Sequence, residues 1–168
     1  MNTVVIMRGP TGSGKSTYVR QYFRNACVVS ADNFFMKTEI IRQHGDGGPT
    51  RKREHYDFDP RLLPQAHAAC LRSFVDALAE GVKTVVVDNT NIHLWELGGY
   101  LKIAKLAKYE VEIVQFVPTT IEDIKTCLKR NTHGVPFEIV AKMCVEFEKS
   151  EAINQKGLAI KTLQISEG

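Results

Sequence analysis

The sequence predicts an α/β domain with a mainly parallel sheet of about five strands and helices on both faces. Short apolar runs alternate with segments of helical length along the whole chain, which is the connectivity of a parallel sheet. Val82 to Val87 is a continuous apolar run interrupted only at Lys83 and Thr84, the pattern of a strand covered on both faces. A glycine-rich loop stands between the first apolar run and the first helix. Its residue order narrows the class to the P-loop nucleoside-triphosphatase fold.

Thr3-Val4-Val5-Ile6-Met7 forms the first strand. Gly9-Pro10-Thr11-Gly12-Ser13-Gly14-Lys15-Ser16 comes next and matches G-x-x-x-x-G-K-[ST] at every fixed position, with a helix running on to about Tyr22. A second strand covers 26–30. Residues 37–59 contain Gly45, Gly47, Gly48, Pro49 and many charges, and read as a loop or insertion with one short helix near 38–44. Pro60, suited to a first helical turn, opens a long helix to about Glu80 that Gly81 stops. A third strand over 82–87 leads to a helix capped by Asn91 and reaching about Lys108, with Gly98 and Gly99 weakening its middle by about 1 kcal/mol each. A strand over 109–117, a helix from Thr119 or Thr120 to about Arg130, a connection over 131–136, a helix from about Pro136 to Ser150 and a strand over 158–165 complete the pattern. Residues 1–168 are expected to form a single domain, with 129–136 placed as a lid.

A composition of 43% hydrophobic and 24% charged residues supplies a sizeable core, and a net charge of +3 neither requires nor excludes a polyanionic partner. The four cysteines, Cys27, Cys70, Cys127 and Cys144, form no C-x-x-C pair and no ligand spacing with the five histidines, so reduced thiols are expected rather than zinc. No apolar run approaches the roughly 18 residues of a membrane span, and Arg8 and Lys15 interrupt the N-terminus before a signal-peptide core. The expectation is a cytoplasmic protein with no membrane partner. No interface pattern fixes an oligomeric state.

The loop carries the clearest chemistry. Gly9, Gly12 and Gly14 let the backbone curl around a phosphate chain, and the loop N–H groups point inward at the positive end of the adjoining helix. Lys15 neutralises charge on the β- and γ-phosphates, and Ser16 offers its hydroxyl to Mg²⁺. The candidate ATP contacts are therefore Gly9, Thr11, Gly12, Ser13, Gly14, Lys15 and Ser16.

Ligands of such sheets bind beyond the C-terminal ends of the strands, so the residues just past each strand are the candidates for chemistry. Asp32, after the second strand, is the candidate general base for an attacking hydroxyl; its other reading is a cap for the segment beginning at Asn33. Val85-Val86-Val87-Asp88 has the form of a Walker B element, whose Asp holds Mg²⁺ directly or through water. Thr90 and Asn91 either contact substrate or cap the next helix. Arg130 is the candidate lid cation over the phosphates, although a cation ending a helix is also stabilised by the helix dipole. His133, before Gly134, reads as a turn residue. Arg51, Lys52 and Arg53 beside Tyr56 are either a nucleic-acid contact with a base stacked nearby or a solvated charge run diluted by Glu54, Asp57 and Asp59. No N-K-x-D element for guanine and no D-x-D-x-T phosphatase motif is present, which disfavours a GTPase switch and an attached phosphatase.

Taken jointly, residues 9–17, Ser30-Ala31-Asp32-Asn33-Phe34-Phe35, Tyr56-Asp57-Phe58-Asp59, Val87-Asp88-Asn89-Thr90-Asn91 and His133-Gly134-Val135-Pro136 resemble the polynucleotide 5′-hydroxyl kinase family of P-loop phosphotransferases. The nearer resemblance is to the kinase-like module of a ubiquitin-ligase-binding protein and of small stand-alone proteins, and the more distant one to the phage-type RNA-repair kinase. The resemblance implies transfer of the γ-phosphate of ATP, with Mg²⁺, to a 5′-hydroxyl end of DNA or RNA. It implies that Lys15, Ser16 and Thr17 are phosphate and metal ligands, Asp32 the base, Asp88 the second acidic residue and Arg130 a lid arginine. The chain departs from the phage-type pattern at Phe35, where that group has a substrate-binding arginine, and in a shorter lid. Phe35 is expected to offer a stacking face instead, with Arg51 and Arg53 supplying phosphate contacts. Two alternatives accompany this reading: a P-loop kinase of a small hydroxyl compound such as a sugar or nucleotide sugar, and an ATP-gated nucleic-acid-binding module without turnover.

Overall fold

The computed structural model describes residues 1–42, 50–153 and 155–165. In chain order its elements are β1 (Thr3–Arg8), α1 (Lys15–Tyr22), β2 (Cys27–Val29), β3 (Met36–Arg42), β4 (Thr50–Tyr56), α2 (Leu63–Ala79), β5 (Thr84–Asp88), α3 (Gly98–Leu106), β6 (Glu110–Val117), α4 (Ile121–Lys129), α5 (Phe137–Val145) and β7 (Ala159–Gln164). Five of the strands make one sheet in the order β2-β5-β1-β6-β7, and every neighbouring pair in it is parallel.

The apolar runs dictate two cores. Successive side chains of a strand point to opposite faces, so a run without polar interruption needs apolar cover on both. Val4 and Ile6 of β1 join Val85, Val87 and Ile113 in one core, which α2 and α3 close with Cys70, Phe74, Leu101 and Ala104. Val5 and Met7 join Val86 and Val114 in the other, closed by Val19 of α1, Cys127 of α4 and Val140 and Cys144 of α5. Each Val, Ile, Leu, Met or Phe among them contributes about 1.5–3 kcal/mol when fully buried. The register sets Val29 beside Val87 and Asp88 beside Met7. The segments leaving β2, β5 and β1 therefore emerge side by side at one edge of the sheet.

Three expectations are corrected. Within 37–59 the chain does not stay a loop: β3 and β4 pair as an antiparallel ribbon from Met36 opposite Tyr56 to Arg42 opposite Thr50. The short helix expected near 38–44 is strand through Arg42, and its remainder lies outside the described residues. The β-branched Thr38, Ile40 and Ile41 favour that extended state, and the base of the ribbon is anchored where Phe35 and Tyr56 meet edge to face at 5.9 Å. Both faces of the ribbon are largely solvated, so no apolar alternation marked it. The helix expected from Asn91 begins instead as a 3-10 turn over Leu94–Leu97 and becomes α3 at Gly98. The expected last helix ends at Val145, short of Ser150.

Arg8 shows why. It is wholly buried at the end of β1, where Nε donates to the Asn91 carbonyl at 2.8 Å, Nη2 to the Ile92 carbonyl at 2.9 Å and Nη1 to Ser150 Oγ at 2.7 Å. Its guanidinium also lies 4.7 Å from the centre of the Phe147 ring. Burial lowers its pKa to about 10, opposed by the carboxylates of Glu96, Glu148 and Glu151. One cation thus ties together the segment after β5 and the segment after α5, both of which lie outside the α-helices. Arg8→Met, which roughly keeps volume and removes the donor from four buried acceptors, Gln115 Oε1 being the fourth, is expected to lower folding stability by about 3 kcal/mol in urea unfolding. A wild-type midpoint would contradict this role.

Candidate active site

The glycine loop wraps the N-terminus of α1, and two of its residues explain the composition. A Cβ on Gly12 would stand 2.1 Å from the Cys127 carbonyl oxygen, so the loop approaches α4 more closely than any side chain permits. Gly14 takes φ 107° as the residue that caps α1. Inside the loop, the buried Lys15 ammonium donates to the carbonyls of Gly9 at 2.8 Å and Pro10 at 3.0 Å. Burial holds the Lys15 pKa below its ordinary value, while Asp88, Cys127 and Asp32 pull it upward. A desolvated cation held by neutral carbonyls is a strong attractor for phosphate charge.

Ser16 Oγ donates to Asp88 Oδ2 at 2.8 Å, which brings the loop and the end of β5 together as the two sequence elements required. A hydroxyl and a carboxylate are hard oxygen donors of the kind Mg²⁺ prefers, and the pair fits that ion. Thr17 lies beside them at the cleft wall, and Ser13 is buried beneath the loop.

Asp32 faces the same space. Ser30, not Asp32, caps the short 3-10 turn over Ala31–Phe35: its Oγ accepts from the Asp32 N–H at 3.2 Å. The Asp32 carboxylate stays exposed in the cleft and receives the Tyr56 hydroxyl on Oδ1 at 3.0 Å. The turn is tied to β5 by Asn89, whose Oδ1 accepts the Ala31 N–H at 2.8 Å and whose Nδ2 meets Cys70 Sγ at 3.4 Å. Together the glycine loop, Asp32, Asp88, Thr90 and Arg130 line one cleft of about 420 Å³, within the size range of small-ligand sites. Arg130 directly succeeds α4, and the connection after it is closed on itself, with Asn131 Nδ2 donating to the Val135 carbonyl at 2.6 Å and Asn131 Oδ1 accepting the Val135 N–H at 3.2 Å. The segment expected from the sequence to serve as a short lid forms this stapled turn.

Other predicted contacts fall elsewhere. Phe35 is 2% exposed and packs in the core, so it offers no stacking face to the cleft. Asn91 is 3% exposed, with φ 45° and its side-chain amide donating to the Met7 carbonyl at 2.9 Å; it is a buried brace between β5 and β1 rather than a substrate contact or a helix cap. Thr90 remains at the cleft, its carbonyl accepting the Gly9 N–H at 2.9 Å. Arg51 and Arg53 are exposed on β4, odd-numbered steps from the cleft-lining Tyr56, and alternation turns them to the other face of the ribbon. Asn89 is not among the predicted site residues and Tyr56 is predicted only as the aromatic beside the basic cluster, yet both contribute to the site. Both stand inside the D-N-T-N and Tyr56-Asp57-Phe58-Asp59 motifs, but their partners are 58 and 24 residues away in sequence.

The fold and the cleft define a domain of the P-loop kinase fold. The family model described as an AAA domain matches residues 4–150, and the chain belongs to that family. Over 151 residues it is 27% identical to NEDD4-binding protein 2 of Homo sapiens, an alignment that takes in 87% of this chain and 8% of that relative. The chain therefore spans less than a tenth of the relative's length. Among solved structures it is similar to a chain of the Pnkp1/Rnl/Hen1 RNA repair complex, with a TM-score of 0.61 at 20% identity over 87% of this chain and 44% of that one. It is also similar to a gluconokinase from Sinorhizobium meliloti 1021, with a TM-score of 0.58 at 13% identity over 99% of this chain and 84% of that one. At these identities the two structures speak for the fold alone.

Proposed function

We propose that this domain transfers the γ-phosphoryl group of ATP to the 5′-hydroxyl end of DNA or RNA. The observation that carries the reading is the exposed Asp32 carboxylate, held on its own turn across one cleft from Lys15, Ser16 and Arg130. The loop N–H groups and Lys15 bind the β- and γ-phosphates, and Ser16 with Asp88 holds Mg²⁺, which when bound neutralises phosphate charge. Asp32 orients the acceptor hydroxyl and takes its proton as the oxygen attacks phosphorus in line. Arg130 offsets the charge that spreads over the transferring group. The nucleic-acid acceptor is supported by the joint D-N-T-N and H-G-V-P pattern.

A second reading, phosphorylation of a small hydroxyl compound, is favoured by Arg51 and Arg53 standing outside the cleft. ADP release measured over an acceptor panel separates the two. Stimulation by a 5′-hydroxyl oligonucleotide and not by sugars or polyols is the expected result; stimulation by a small compound alone would replace the acceptor.

A further inference from the structure

An exposed carboxylate samples several rotamers unless a neighbour fixes it, and a base must present one oxygen to its proton donor. The backbone of Asp32 is fixed by Ser30, and that of the adjoining Ala31 by Asn89. Its carboxylate meets the Tyr56 hydroxyl, and the Tyr56 ring is itself held on three sides. Phe58 lies parallel to it at 6.1 Å, the buried Phe35 meets it edge to face at 5.9 Å, and His133 of the 131–136 connection reaches it at 4.6 Å. Tyr56 is the last residue of β4, opposite Met36, so the base of the ribbon sets where its hydroxyl stands.

We propose that Tyr56 is the positioning residue for the acceptor base: its hydroxyl occupies Oδ1 of Asp32 and orients Oδ2 toward the acceptor hydroxyl, while His133 couples that orientation to the connection after Arg130. The inference rests on the reading of Asp32 as the base. In that step the acceptor oxygen forms a bond to the γ-phosphorus. The bond from phosphorus to the ADP oxygen breaks with its electron pair leaving on ADP, and the acceptor proton passes to Asp32. Tyr56 keeps its own proton throughout, since burial and then the Asp32 charge hold its phenol well above the ordinary value. Its hydroxyl donates to the carboxylate. The ribbon thereby acquires a function that its solvated strands did not suggest.

The test uses Tyr56→Phe, which retains the ring and its packing. Turnover onto a 5′-hydroxyl oligonucleotide is expected to fall about tenfold or more, with the KM for ATP unchanged. Wild-type transfer, or a loss carried by a raised KM for ATP with turnover kept, would overturn the positioning role. Asp32→Ala run alongside keeps the two claims apart. If it retains transfer, the base assignment fails and the inference with it; if it loses transfer while Tyr56→Phe does not, only Tyr56 is misassigned. A second readout needs no acceptor. The tyrosinate absorbance of the wild type minus that of Tyr56→Phe tracks Tyr56 alone, and Asp32→Asn is expected to move that titration to lower pH. An unmoved curve would also overturn the contact.

Discussion

Asp32→Ala is expected to lower turnover about 10²–10⁴-fold, the range over which a positioned general base contributes, while ATP affinity is retained. The split comes from placement. Asp32 stands on the turn after β2, capped by Ser30 and tied to β5 through Asn89, whereas the phosphate cradle is built by the loop after β1. Removing the carboxylate leaves Lys15, Ser16 and Asp88 and their contacts in place. The exposure of Asp32 also predicts little change in thermal stability. Single-turnover transfer and nucleotide binding measured on the same preparation check both halves, and intact turnover would remove Asp32 from the mechanism.

Lys15→Ala is expected to act on both quantities at once. Hydrogen bonds to a charged group are worth about 1.5–3 kcal/mol, which corresponds to roughly ten- to hundredfold weaker nucleotide binding. A further loss of turnover, about 10²-fold or more, arises because charge develops on the transferring group beside the vacated ammonium. Lys15 is buried with the Gly9 and Pro10 carbonyls as its hydrogen-bond partners, and the loop surrenders this enclosed cation in the variant. Isothermal titration with ATP reads the first effect and steady-state kinetics the second. An unimpaired variant would contradict the assignment of the loop.

Much of the molecule is legible in the chain because the signals are local. The five strands of the main sheet, the loop from Gly9 to Ser16 and the acidic residues after β2 and at the end of β5 arise from runs of a few residues whose chemistry admits few alternatives. The features that escape depend on contacts between distant segments. Arg8 looks like a charge closing an apolar strand, yet 83 and 142 residues separate it from the Asn91 carbonyl and Ser150 that it binds. Asn91 satisfies every local preference of a helix cap and is instead held at φ 45° between β1 and β5 by those contacts. The β3–β4 ribbon carries no hydrophobic alternation because both of its faces are largely solvated, and its charges imitate a loop. Phe35 fails as a stacking face for a related reason: adjacent aromatics do not reveal which is turned inward, and it is Phe35 that is buried while Phe34 stays exposed.

The central claim is that Asp32 and the phosphate cradle act together on a nucleic-acid end. The measurement that tests it most directly is label transfer from γ-labelled ATP, with Mg²⁺, to a 5′-hydroxyl oligonucleotide, beside the same oligonucleotide already 5′-phosphorylated and the Asp32→Ala variant. Label on the 5′-hydroxyl strand alone, at its terminus and absent with the variant, is the predicted result. No label on that strand, with nucleotide binding intact, would contradict it.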